Sequence, residues 1–441
     1  MIAARSTRSL PALALATLLA VAMVATGCGD DGGDTGQSAQ KANYATIRVP
    51  ADQPTIQKAV DAAKPGDLVL ISPGTYKEAV KVETDDVVIR GTDRNKVIID
   101  GEHQRENGFI VFSNGVAIEN LTARNHTSNG VFFTGDYGKG VVLTGYRASY
   151  ITAYDNGLYG VYAFNAKDGQ IDHSYASGHP DSGFYVGQCN PCNAVLTKNV
   201  GELNMLGYSG TNSTGVTIVD NVFRKNRSGI DPNSLYSEKL YPNQGTTIVG
   251  NLVEDNNSSA APDNKSFSEA FGNGIVMGGV SNVVVERNLV KGHVNAGIVI
   301  TDLPQSKNPD TGKEETFIPK GNQVRDNSLE GNQMDLAYLT AFQASKPFEN
   351  CFASNRFATS FPDDLETLMP CEGRETNETD LGDLSPILGR LTAPPPDVDY
   401  KTIPAPPDQP QMPDAATAPP KAAKDVPLKI DLASIKVPSG K

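Results

Sequence analysis

Residues 194–233 read AVLTKNVGELNMLGYSGTNSTGVTIVDNVFRKNRSGIDPN, and they state one pattern twice. Leu196, Asn199 and Tyr208 return as Ile218, Asn221 and Ile230, each 22 residues further on. Working outward, the asparagine position recurs at Asn120, Ser174, Asn251, Asn288 and Asn327, with a divergent copy near Tyr150. Apolar residues stand three positions before it at Ile171, Ile248, Val285 and Val324. A later strand opens at Val131, Val161, Phe184, Ile275 and Ile298, each preceded by glycine. A unit of this size cannot bury an apolar face alone, so stacked copies must build one continuous core. Glycine and asparagine suit the corners because they tolerate left-handed backbone, and stacked asparagines can bond up the stack. Leucine-rich repeats require a dense Leu pattern, and propellers require four antiparallel strands per ~40 residues. The reading is all-β: a right-handed parallel β-helix of eight coils, each advancing about 4.8 Å, for a rod of about 40 Å.

The flanks fit that body. Ile47 to Pro50 reads as a short strand, and Pro54 to Ala63 as a short amphipathic helix with apolar residues at 56, 59, 60 and 63. Pro54 sits in its opening turn, and the helix caps the open N-terminal end of the stack. Leu68–Ile71 and Val87–Ile89 are buried-type strands, and Pro73–Glu78 is a turn feeding another. The organisation is 1–28 signal segment, 29–43 flexible tether, 44–375 β-helix and 376–441 Pro-rich tail. Pro394-Pro395-Pro396 and Pro419-Pro420 mark the tail as polyproline-like. Leu428 to Leu432 alternates like a strand; docking on the body and a disordered end both stay open.

Arg5 and Arg8 precede an apolar run, Leu10–Val24, that is too short to span a bilayer. It ends in Ala25-Thr26-Gly27-Cys28, which resembles the bacterial lipobox. The resemblance implies a cleaved signal peptide, a lipidated (diacylglycerol and palmitate-type) Cys28, and a lipoprotein anchored on the outer face of the cell membrane. Losing that segment leaves 36 basic against 51 acidic side chains, a net of −15. No basic stripe is present, which excludes a nucleic-acid partner. Four further cysteines in an exported chain favour two disulfides, Cys189 with Cys192 and Cys351 with Cys371. A redox or soft-metal role for the first pair lacks supporting context.

Residues 47–78 resemble the opening of pectate-lyase-like β-helix proteins. The coils resemble the bacterial parallel β-helix repeat family, which includes carbohydrate-active enzymes and copper-maturation proteins of nitrous-oxide reductase. The resemblance covers roughly residues 44 to 375 and implies fold more firmly than activity. Gly74-Thr75-Tyr76-Lys77-Glu78 is similar to the start of pectin methylesterases, but the rest of their motifs are missing and the chain has no Trp. The Ca²⁺ cluster of pectate lyases and the Asp trio with Gly-His-Gly of polygalacturonases are not found, so no cofactor is assignable. Ca²⁺ stays open through the lyase resemblance, and no metal spacing is read.

Two features could carry chemistry. The position after each Gly-apolar pair reads Phe132, Tyr162, Tyr185, Ser209 and Asp231, which parallel stacking puts on one face as an aromatic ladder beside a carboxylate. Aromatic faces stack on sugar rings, and a groove along a rod suits a polymer; the competing use is shielding backbone or receiving the tail. Insertions at 229–244, 256–272 and 302–320 would build a rim, the first carrying Tyr236 and Glu238. Asp231-Pro232-Asn233 is similar to the Asp-Pro-His of mannuronan C5-epimerases, with Asn233 where a histidine is needed. His173 and His179, beside Asp172 and Asp181, are the candidates to supply one, against an ordinary role in turns. The candidate catalytic residues are Asp231, His173 and Asp181; those for substrate are Phe132, Tyr162, Tyr185, Asp231, Tyr236 and Glu238. The expectation is a monomeric, membrane-tethered protein that binds an envelope or environmental polysaccharide, with processing left open. The alternatives are a non-catalytic scaffold or adhesion protein, and a uronate C5-epimerase or lyase-like enzyme.

Overall fold

The computed structural model describes residues 44–304, 307–340, 349–373, 385–425 and 430–440. The signal segment, Cys28 and the tether 29–43 lie outside the described residues. From residue 46 onward the chain winds into the parallel β-helix that the repeats require. Each coil lays one strand in each of three parallel sheets. The central repeat shows the scheme: Ala194–Thr197 in the first sheet, Val200–Glu202 in the second, Leu206–Thr211 in the third. The next coil repeats it with Val216–Val219, Val222–Arg224 and Ser228–Asn233. Leu196 lies on Ile218 and Tyr208 on Ile230, the register that the 22-residue spacing demands.

The third sheet has eleven strands among the described residues, running from Val80–Val82 to Ser360–Phe361. The stack is therefore longer than the eight coils expected, because the coils before residue 114 lack the asparagine signature. Its inward column is Val131, Val161, Phe184, Tyr208, Ile230, Ile275, Ile298 and Leu336, every one without solvent exposure. Branched and aromatic side chains stacked at strand spacing fill the rod as a continuous apolar core.

The corners are held by polar ladders. Asn199 donates to the side-chain oxygen of Asn221 at 2.9 Å, Asn221 to Asn251 at 3.0 Å, Asn251 to Asn288 and Asn288 to Asn327 at 2.9 Å. Each amide also donates to a main-chain carbonyl of the preceding coil, so a fully buried polar group keeps its bonds. A second ladder lies five residues further along most coils, and six after Tyr150: Asn156, His179, Asn204, Asn226, Asn256, His293 and Asn332. Burial lowers the pKa of both His179 and His293 to about 4, so they serve there as neutral imidazoles.

The N-terminal helix spans Ile56–Ala62 with Thr55 as its N-cap, starting two residues later than expected, and buries Ile56, Ala59 and Val60. Glu78 accepts the free N–H groups of Ile56 and Gln57, both at 3.0 Å. The Gly74–Glu78 segment is thus a structural clamp on the helix N-terminus. Both expected disulfides are present, Cys189–Cys192 and Cys351–Cys371. The described tail residues dock on the body. Thr392 takes a bond from Asn295, Pro395 and Pro396 from Arg227, Pro410 from Arg94, and Ala418 from Arg90. The chain turns near Ala423, which donates to Gly115, and returns to meet Arg287 through the Leu432 carbonyl. Prolines leave their carbonyls free, and buried guanidiniums supply the donors. The strand read at Leu428–Leu432 is corrected in part: Leu432–Ser434 is a 3-10 turn, while 426–429 lie outside the described residues. Among the described residues no helix is long and apolar enough to cross a membrane.

Candidate functional site

The outward column of the third sheet is the one read from the repeats. Phe132, Tyr162, Tyr185, Ser209 and Asp231 are consecutive register partners. Phe132 stacks on Tyr162 at 4.6 Å between ring centroids, and Tyr162 meets Tyr185 edge-on at 4.8 Å. Tyr159, which precedes the strand Val161–Phe164, lies parallel to Tyr162 at 4.2 Å. The ladder is not uniformly open. Phe132, Tyr159 and Tyr162 are half-buried, whereas Tyr185 is 3% exposed and forms floor rather than a free stacking face.

Two sets of loops flank that floor. At the N-terminal edge of the strands, Asn264 from the 256–272 insertion donates to Asp181 at 2.8 Å, and the Tyr159 hydroxyl donates to the same oxygen at 3.0 Å. Ser182 donates to the other oxygen at 2.8 Å and bonds Ser209 on the next coil. At the C-terminal edge, Gln188 donates to Glu238 of the 229–244 insertion at 2.9 Å, while Tyr137 donates to the Gln188 side-chain carbonyl oxygen at 3.1 Å. Gln188 is fully buried and immediately precedes the Cys189–Cys192 disulfide, which closes the corner behind it.

Asp181 at the N-terminal edge of the ladder stands close enough to Asp231 on the floor and to Glu238 at the C-terminal edge for its charge to act on both. Burial drives the pKa of Asp231 up to about 7, with the charge of Asp181 adding and the Asn233 amide opposing. Burial also raises Glu238 to about 7, again with Asp181 adding and Gln188 opposing. Asp181 itself is raised by burial against the bonds from Ser182, Tyr159 and Asn264. Burial and these carboxylates together hold Tyr159, Tyr162 and Tyr185 above the usual phenol range. A buried and a half-buried carboxyl group held near neutrality on one face can supply both a proton donor and a proton acceptor at one pH. Among the described residues no group of three or more His, Cys, Asp or Glu is arranged to hold a metal ion, so the carboxylates do not fit a Ca²⁺ cage and no step runs through one.

Several candidates move. His173 sits away from the groove, stacked on Tyr150 at 4.6 Å and bonded to Asp172 at the edge of the first sheet. His179, although two residues from Asp181, is spent on the buried ladder with Asn156 and Asn204. Neither supplies the missing histidine; Asn233 in its place accepts from Thr211 and supports Asp231. Tyr236 is engaged by the 302–320 insertion, packing on Phe317 at 4.1 Å and donating to Glu315, so it builds the wall rather than the floor. Tyr137, Tyr159, Gln188 and Asn264 were not legible as site residues, because loops carry no register.

The comparisons place the chain by shape alone. No family model matches it, and no curated protein matches it. Among solved structures it is similar to the A-module of the Azotobacter vinelandii mannuronan C-5 epimerase AlgE4, with a TM-score of 0.47 and 16% identity over 69% of this chain and 91% of that one. Pectate lyase Pel9A follows at 0.42 and 14%, over 84% and 89%, and an alginate lyase from Paenibacillus sp. str. FPU-7 at 0.35 and 16%, over 72% and 99%. None of these reaches a TM-score of 0.5, and no activity is carried over from them.

Proposed function

We propose that this protein is an exported, membrane-anchored β-helix that binds a polysaccharide along its third sheet and acts on it by acid–base chemistry. The anchor is supported by the Ala25–Cys28 motif, and export by two disulfides, which persist in oxidising compartments. Binding is supported by the half-buried aromatic faces of Phe132, Tyr159 and Tyr162 along a groove walled by insertions. The observation that carries the catalytic reading is that Asp231 on the floor and Glu238 at the C-terminal edge are each held near neutrality beside Asp181. One carboxylic acid gives its proton to a glycosidic oxygen as that bond breaks. Water adds to the anomeric carbon, and its proton goes to the second carboxylate.

The test is incubation of the purified protein with a panel of polysaccharides, reading bound polymer and newly formed reducing ends. Turnover is expected to fall about 10²- to 10⁴-fold in Asp231→Asn and in Glu238→Gln while binding persists. Tyr162→Ala should weaken binding. Binding without any bond cleavage overturns the catalytic reading; no binding to any polymer overturns the groove itself.

A further inference from the structure

The groove is built from acceptors. Asp181, Asp231 and Glu238 supply carboxylate oxygens, and the donors that bond them are already committed. Tyr159, Ser182 and Asn264 are spent on Asp181, and the Gln188 amide on Glu238. Among the described residues no lysine, arginine or histidine forms an ion pair or hydrogen bond with any of the three, and the charge of Asp181 acts on both Asp231 and Glu238. The cations that stand close in the fold are engaged elsewhere. Lys239 lays its ammonium over the Tyr137 ring at 4.6 Å. Arg227 is 2% exposed and divides its donors among Asp263, the Ala261 carbonyl and the tail carbonyls of Pro395 and Pro396.

A sugar carboxylate entering this space would bring a further negative charge beside three carboxyl groups, with no guanidinium or ammonium to meet it and the Tyr162 hydroxyl as its one uncommitted donor among the described ladder residues, the arrangement buried charges avoid. At pH 7.5, above the midpoints of Asp231 and Glu238, a hydroxyl or amino group instead supplies the hydrogens that the ionised carboxylates lack. Resting on the groove reading above, we infer that the sugar seated over Asp231 carries hydroxyl or amino donors and no carboxylate. The substrate class is then a neutral or amino-sugar glycan rather than a uronate polymer.

Affinity electrophoresis of the full, disulfide-intact chain at pH 7.5 separates the classes. The gels would contain a neutral mannan, glucan or xylan, a glucosamine oligomer, or polygalacturonate or alginate, each with EDTA and with added Ca²⁺. Retardation at least tenfold stronger by a carboxylate-free polymer than by either uronate is expected. Asp231→Asn and Glu238→Gln, each removing one charge, should narrow that ratio by raising uronate binding. Uronate binding equal to or tighter than neutral binding overturns the inference, whether seen in EDTA or only with Ca²⁺. So does a ratio unchanged in both variants. Failure to bind any polymer instead overturns the groove reading on which the inference rests.

Discussion

Two regions of this rod bury polar side chains and treat them in opposite ways. At the corners, Asn199, Asn221, Asn251 and Asn288 are fully buried, and every amide is bonded to the coils on both sides. On the third sheet, Asp181 and Asp231 are 8% and 3% exposed, yet with Glu238 they share a space without a cation. The first arrangement satisfies neutral groups and stabilises the stack. The second keeps ionisable groups where burial opposes their ionisation, which costs stability and is retained where chemistry uses it.

The largest expected effect breaks the first region. Asn221→Leu removes the acceptor used by the Asn199 main-chain and side-chain N–H groups, and the donor to Asn251 and Leu196. Leaving such buried partners unmade costs about 1–3 kcal/mol each, so a loss of about 4 kcal/mol or failure to fold is expected in denaturant titration. Asp231→Asn should act with the opposite sign. A carboxyl raised from 3.8 to about 7 contributes stability that is full below pH ~4 and lost as pH rises to ~7. At 1.36 kcal/mol per unit, the variant should gain on the order of 4 kcal/mol over wild type at pH 8 and nothing at pH 3, read from unfolding midpoints across pH. A smaller change tests the cap: Glu78→Gln weakens the two bonds to the helix N-terminus and should cost about 1 kcal/mol.

The fold was legible in the sequence because buried asparagine at a fixed spacing has few other uses. The row from Phe132 to Asp231 was legible for the same reason, since strand register follows from the repeat. The second ladder was not read from the sequence: its members include His179 and His293, and His179 two residues from Asp181 invites a catalytic reading. What lay beyond the sequence came from segments without periodicity. Asn264 reaches Asp181 from an insertion, Gln188 reaches Glu238 across a corner, and the tail finds Arg90, Arg94 and Arg227 over more than 100 residues of chain. Such pairings are set by tertiary packing, which local pattern does not encode.

The central claim is that two carboxyl groups of the groove titrate near neutrality. Carbon-13 carboxyl NMR across pH 3–10, with Asp231→Asn and Glu238→Gln to assign the resonances, measures it directly. Two midpoints near 7, each disappearing in its own variant, are the predicted result. Midpoints for both groups in the ordinary range of about 4 would contradict the account.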